Sequence, residues 1–96
     1  NYQTAVYLVF SLMGQFAQTE VHSAKGRADC VVKTAETVYI FEFKLSGNGS
    51  AEDALNQIKT QEYAAPYKGR GQKIVLIGSS FDEQARTIKE WKTEVL

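Results

Sequence analysis

Apolar and polar positions alternate most sharply at Tyr39-Ile40-Phe41-Glu42-Phe43-Lys44-Leu45, where five of seven residues are aromatic or aliphatic. A run this short and rich in β-formers predicts a strand covered on both faces. Strand alternation puts Glu42 and Lys44 on one side and Phe41, Phe43 and Leu45 on the other. A second apolar run, Lys73 to Gly78, predicts a central strand. Before these runs, Tyr2 to Met13 is apolar nearly all round and ends at Gly14, which predicts a helix packed deep against a sheet. Phe16–His22, Arg27–Lys33 and Val38–Leu45 then read as three strands, joined by turns at Ala24-Lys25-Gly26 and Thr34–Thr37.

Ser46-Gly47-Asn48-Gly49 breaks the third strand, and Ser50 with Asp53 forms a capping-box-like start for a helix over Ala51–Tyr63. Ala54, Leu55 and Ile58 give that helix an apolar side. The loop that follows carries the single proline and a basic tip of Lys68, Arg70 and Lys73. Asp82 is read as the cap of a last helix over Glu83–Lys89, with Trp91–Leu96 as an edge strand. A strand–helix–strand crossover from Phe41 to Ile77 makes those two strands parallel. The expected fold class is therefore α/β: an αβββαβ core with a mixed sheet flanked by helices, plus a C-terminal αβ extension.

Composition narrows this little. Ninety-six residues, 1–96, fit one domain. The chain opens with asparagine, which reads as a domain excised from a longer protein. No apolar stretch is long enough to span a bilayer and no secretory leader is visible, so the expected setting is cytoplasmic, without a membrane partner. One cysteine, Cys30, excludes an internal disulfide and is read as a core thiol. A formal net charge of zero argues against a protein held to nucleic acid by a broad basic field, while leaving room for a local rim of phosphate contacts at Lys25, Arg27, Lys68 and Arg70.

Asp29 is the residue that changes the picture. Aspartate is a poor strand former, yet it stands between Ala28 and Cys30 in the second expected strand. If that strand pairs with the next through the turn at Thr34–Thr37, Asp29 and Glu42 become cross-strand neighbours, about 4.8 Å apart along the sheet. Two carboxylates so close repel, and a divalent cation between them resolves the conflict. Mg²⁺, or Mn²⁺, suits such oxygen ligands. Lys44, on the same face as Glu42, can then orient the attacking water or offset charge growing on a phosphate. The competing explanation is an ion pair of Asp29 with Arg27 or Lys44 at the sheet rim, with no metal.

Gly26-Arg27-Ala28-Asp29, Tyr39-Ile40-Phe41-Glu42-Phe43-Lys44, Ala54-Leu55-Asn56-Gln57-Ile58 and Tyr63-Ala64-Ala65-Pro66-Tyr67 together resemble the PD-(D/E)XK nuclease superfamily. The likeness is greatest to the branch found C-terminal to AAA-type ATPase-like regions in bacterial proteins. It spans Tyr2 to Trp91 and implies a restriction-endonuclease-like core. It also implies metal ligation by Asp29 and Glu42, a catalytic role for Lys44, and a Gln57 aimed at the site. Two departures stand out. No acid precedes Glu20, so Glu20 is the one candidate here for the accessory acid that many members carry on the first helix. Where relatives place a tyrosine one turn after the glutamine, this chain has Gln61, and helical spacing puts Tyr63 off that face.

Two functions follow. One is a Mg²⁺-dependent nuclease domain acting on nucleic acid, DNA by preference, with Asp29, Glu42, Lys44 and Gln57 as its catalytic residues. The other is a catalytically weak or inactive module that keeps the fold for nucleic-acid or protein binding within an ATPase-like protein. A neutral domain needs a neighbouring region, such as the N-terminal ATPase-like part of the parent chain, or a second copy in a homodimer, to grip a duplex. His22, with no second histidine and no cysteine partner, reads as a solvated or hydrogen-bonded side chain.

Overall fold

The structure, a computed structural model, describes residues 28–96. The helix expected at Tyr2–Met13, the strand at Phe16–His22 and the turn at Ala24–Gly26 lie outside the described residues, as do Glu20, Lys25 and Arg27. The elements in order are β1 (Cys30–Lys33), β2 (Thr37–Leu45), α1 (Ala51–Thr60), a 3₁₀ turn (Ala65–Tyr67), β3 (Lys73–Asp82) and β4 (Thr87–Val95). Among the described residues the four strands form one sheet in the order β1–β2–β3–β4. β1 and β2 are antiparallel, β2 and β3 parallel, β3 and β4 antiparallel. The fold is α/β with a mixed sheet, compatible with a restriction-endonuclease-like core.

The alternation in β2 sorts two cores. Tyr39, Phe41, Phe43 and Leu45 pack with Val75, Ile77 and Phe81 on one face, with Cys30 half-buried against them. Val38 and Ile40 pack with Ile74, Leu76 and the α1 residues Leu55 and Ile58 on the other. Glu42 and Lys44 continue the second of these rows. The parallel β2–β3 pairing follows from the α1 crossover, as the sequence leads one to expect. Ser50 and Asp53 form the full capping box: the Ser50 hydroxyl accepts from the Asp53 N–H at 3.1 Å, and the Asp53 carboxylate accepts from the Ser50 N–H at 2.9 Å.

Helix α1 is held close to the sheet by an absent side chain. A Cβ on Gly78 would lie 2.5 Å from the Ala51 carbonyl oxygen and 2.5 Å from the Leu55 nitrogen, so only glycine lets the helix backbone rest on β3 there. The flank of α1 is strapped to β4. The Glu90 carboxylate accepts from the Ala51 N–H at 2.9 Å, and Lys92 and Lys59 pair with Glu52 and Glu94.

The C-terminal part corrects the sequence reading. No helix forms at Glu83–Lys89; β3 runs on to Asp82 and turns directly into β4. Asp82 does accept backbone N–H groups, from Gln84 at 2.9 Å and Ala85 at 3.1 Å, but they belong to a tight turn with Arg86 at φ 56°. The same local chemistry starts helices and closes turns, and pairing with β3 decides between them.

Candidate functional site

Asp29 precedes β1 instead of lying inside it, which removes the strand-propensity anomaly. The last paired residues are Cys30 and Phe41, so Asp29 stands opposite Glu42 one step beyond the end of the ladder. Its Oδ2 accepts from the Phe43 N–H at 3.0 Å, giving a hydrogen-bond partner to a β2 backbone group past the end of β1. The carboxyl groups of Asp29 and Glu42 thus come to the same side. Burial raises the Asp29 pKa, against the opposing pull of the Phe43 N–H and the Lys44 charge.

Glu42 is 5% exposed in the middle of β2, opposite Gly78 of β3. Burial first, and then the Asp29 charge, push its pKa up to about 7, while Lys44 works the other way. Its Oε2 accepts from Gln57 Nε2 at 3.0 Å. Its Oε1 is buried with no hydrogen-bond partner among the described residues. A buried oxygen left bare is costly unless something beyond the described residues completes it.

Gln57 ties the site together. Its Oε1 accepts from Lys44 Nζ, while its Nε2 donates to Glu42 and, at 3.0 Å, to the Tyr63 hydroxyl. With a cation on one side and an anion on the other, the carboxamide has one workable orientation. Lys44 is thereby fixed beside Glu42 instead of sweeping through solvent.

Tyr63 was misplaced by helical spacing. Helix α1 ends at Thr60, and the chain leaves it through Glu62 in the left-handed region, φ 55°. The Tyr63 N–H donates to Ile58 and the Glu62 N–H to Lys59, the bond pattern of a Schellman termination. That motif folds the residue after the left-handed one back onto the helix, so the Tyr63 hydroxyl reaches Gln57 although Gln61 holds the position one turn on. The signal was the helix stop itself. Gly78 was the other omission; a lone glycine within an apolar strand marks close backbone approach.

The basic loop is placed elsewhere. Gln72 donates to the Thr34 carbonyl at 3.2 Å, and Lys73 pairs with Thr37, at the opposite end of the parallel strands from the site. Glu42 pairs with Gly78, five residues on, or about 17 Å along the strand. Lys68 and Arg70, exposed in that loop, are therefore not brought together with Asp29 and Glu42.

Two juxtaposed acids, a lysine on the next alternate position and a glutamine on the crossover helix form a constellation that can be matched against known proteins. Residues 1–91 match the sequence profile of the PD-(D/E)XK nuclease superfamily. The chain belongs to that superfamily. It is also 34% identical over 95 residues to an "Uncharacterized protein in vnfD 5'region" of Azotobacter chroococcum mcd 1, covering 99% of this chain and 18% of that protein. The chain thus spans less than a fifth of that relative's length. No solved structure matches it.

Members of this nuclease superfamily generally use divalent metals, and the donor set here fits one. The Glu42 Oε1, bare among the described residues, the adjoining Asp29 carboxylate and the mutual repulsion that a cation between them would relieve all favour it. Among the described residues, no group of three or more His, Cys, Asp or Glu side chains is gathered, and the pair Asp29 and Glu42 would be the donors they supply. No helix among the described residues is long and apolar enough to cross a membrane.

Proposed function

We propose that the chain is a Mg²⁺- or Mn²⁺-dependent nuclease domain that hydrolyses phosphodiester bonds, with DNA as its substrate. The observation that carries this is the buried Oε1 of Glu42, unsatisfied among the described residues, in a carboxyl group that adjoins that of Asp29 and lies beside a lysine held in place. Asp29 and Glu42 would hold the cation, whose charge when bound favours ionisation of water and offsets charge on phosphoryl oxygens. Lys44 keeps one N–H on Gln57 and turns its other donors toward the water or the phosphate. Gln57 acts through Lys44 and Glu42 as a positioning residue, with Tyr63 steadying its amide. In the reaction a water oxygen bonds to phosphorus and the ester P–O bond breaks. The proton released by water is balanced by the one gained by the leaving oxygen.

The chain's small share of its Azotobacter relative supports a domain working within a larger protein; that this protein is cytoplasmic and carries an ATPase-like region ahead of the domain is part of the same proposal. Calorimetric titration with Mn²⁺ alongside a cleavage assay tests the central reading. Metal uptake and cutting should both vanish in a folded Glu42→Ala variant; cutting that survives that substitution overturns it. The gathering of only two carboxylates among the described residues favours a second reading, a module that binds nucleic acid without turnover. Oligonucleotide binding with no product under saturating Mn²⁺ selects it.

A further inference from the structure

A cleft of about 240 Å³ opens next to the proposed site, between β1 and the segment that follows α1. Ala28, Val31 and Pro66 give it apolar walls, Tyr63 and Tyr67 supply rings, and the polar Gln61 and Glu62 complete the lining. Two residues join it to the site: Ala28 precedes Asp29, and Tyr63 lines the cleft while its hydroxyl holds Gln57. The Lys33 ammonium sits 5.3 Å from the centre of the Tyr67 ring, at the end of β1 remote from Asp29.

We propose that this cleft seats one unpaired nucleobase of the strand being cut. The inference rests on the phosphodiesterase reading above and adds a substrate class to it: single-stranded or frayed ends in preference to blunt duplex. The cleft is smaller than the roughly 300–1,000 Å³ of ordinary small-molecule sites, so it takes a ring system without its sugar and phosphate. Apolar walls and tyrosine rings suit the faces of a base. The carboxylate of Glu62 disfavours a phosphate and accepts from an exocyclic amine. A base enters such a recess only when it has left its stack and its partner. Glu62 also occupies a left-handed backbone position that glycine would fill at lower cost, a departure from local preference in the lining of the cleft.

The test uses the full chain with EDTA present, so that no cutting occurs, and a single-stranded oligonucleotide carrying one 2-aminopurine. Stacking should quench its fluorescence, and Tyr67→Ala should weaken binding by about 5- to 150-fold, the range one base on an aromatic ring is worth. The same label in a blunt duplex should bind at least about tenfold more weakly. Glu42→Gln should keep the quench, which separates this seat from the cleavage reading: loss of cutting with retained quenching leaves both ideas standing. Equal affinity for single strand and duplex overturns the seat, as does undiminished quenching in a Tyr67→Ala variant of native circular dichroism. Either result leaves the nuclease reading untouched.

Discussion

Replacing Glu42 with glutamine should make the protein more stable at alkaline pH while abolishing its metal binding. In the folded chain the Glu42 carboxyl is pushed from an ordinary 4.5 up to about 7, first by burial and then by Asp29. The native state therefore holds the proton more tightly than the unfolded state does. Below pH 4.5 both states are protonated and nothing is lost. As pH rises through the window from 4.5 to 7 the unfolded chain ionises first, and stability falls. Above 7 the charged side chain costs the fold about 3 kcal/mol, undiluted by solvent because Glu42 is 5% exposed. Glu42→Gln keeps the shape and an oxygen for the Gln57 donor but never ionises. Its melting temperature at pH 8 should exceed that of the wild type by on the order of 10 °C, and the two should agree at pH 4.5. Saturating Mn²⁺ should raise the wild type at pH 8 and leave the variant unmoved. The assay is thermal unfolding followed by circular dichroism at both pH values, with and without metal. A gain equal at the two pH values, or none at pH 8, refutes the account of Glu42 as a carboxylate held at cost.

Gly78→Ala places a methyl group 2.5 Å from the α1 backbone and should cost at least about 1–3 kcal/mol in urea unfolding; a change within 0.5 kcal/mol, a threshold typical of neutral surface substitutions, contradicts the close seating of the helix. Glu62→Gly relieves a left-handed non-glycine residue and should stabilise by about 0.5–1 kcal/mol, read as a higher urea midpoint. Lys44→Met should lower kcat by about 100-fold or more with little effect on KM, whereas a raised KM at unchanged kcat would make Lys44 a binding residue. Gln57→Ala frees Lys44 and should cut kcat less than Lys44→Met does, a ranking that a side-by-side cleavage assay checks.

Much of this arrangement could be read from local pattern. Period-two alternation sufficed to send Glu42 and Lys44 to one face, and the turn at Thr34–Thr37 sufficed to bring Asp29 opposite Glu42. Ser50 and Asp53 announced α1, and the crossover dictated the parallel pairing of β2 with β3. Most of the failures have nonlocal causes. Glu83, Gln84, Ala85 and Arg86 are sound helix formers behind a capping aspartate, yet β3 pairing claims the residues on both sides. The edge strand expected at Trp91–Leu96 forms as the second half of β4, but its start was hidden by a bulge: Ser80 pairs with Glu90 but Phe81 with Ile88, so Lys89 interrupts the alternation and Ile88 reaches the aromatic core out of step. Tyr63 escaped because a helical wheel has no meaning past the residue where the helix turns left-handed. Gly78 escaped because what matters there is the volume it leaves to a distant segment.

Tyr63 serves two masters, its ring walling the recess and its oxygen steadying the amide that fixes the lysine. On the nuclease reading proposed above, tuning which strands are admitted by altering that position would also slacken the machinery that breaks them, so selectivity and speed would not be separable there. Pro66 and Tyr67 border the same recess, while among the described residues the Gln57 amide bonds to Lys44, Glu42 and Tyr63, and an engineer wanting a new preference at undiminished rate would begin with those two.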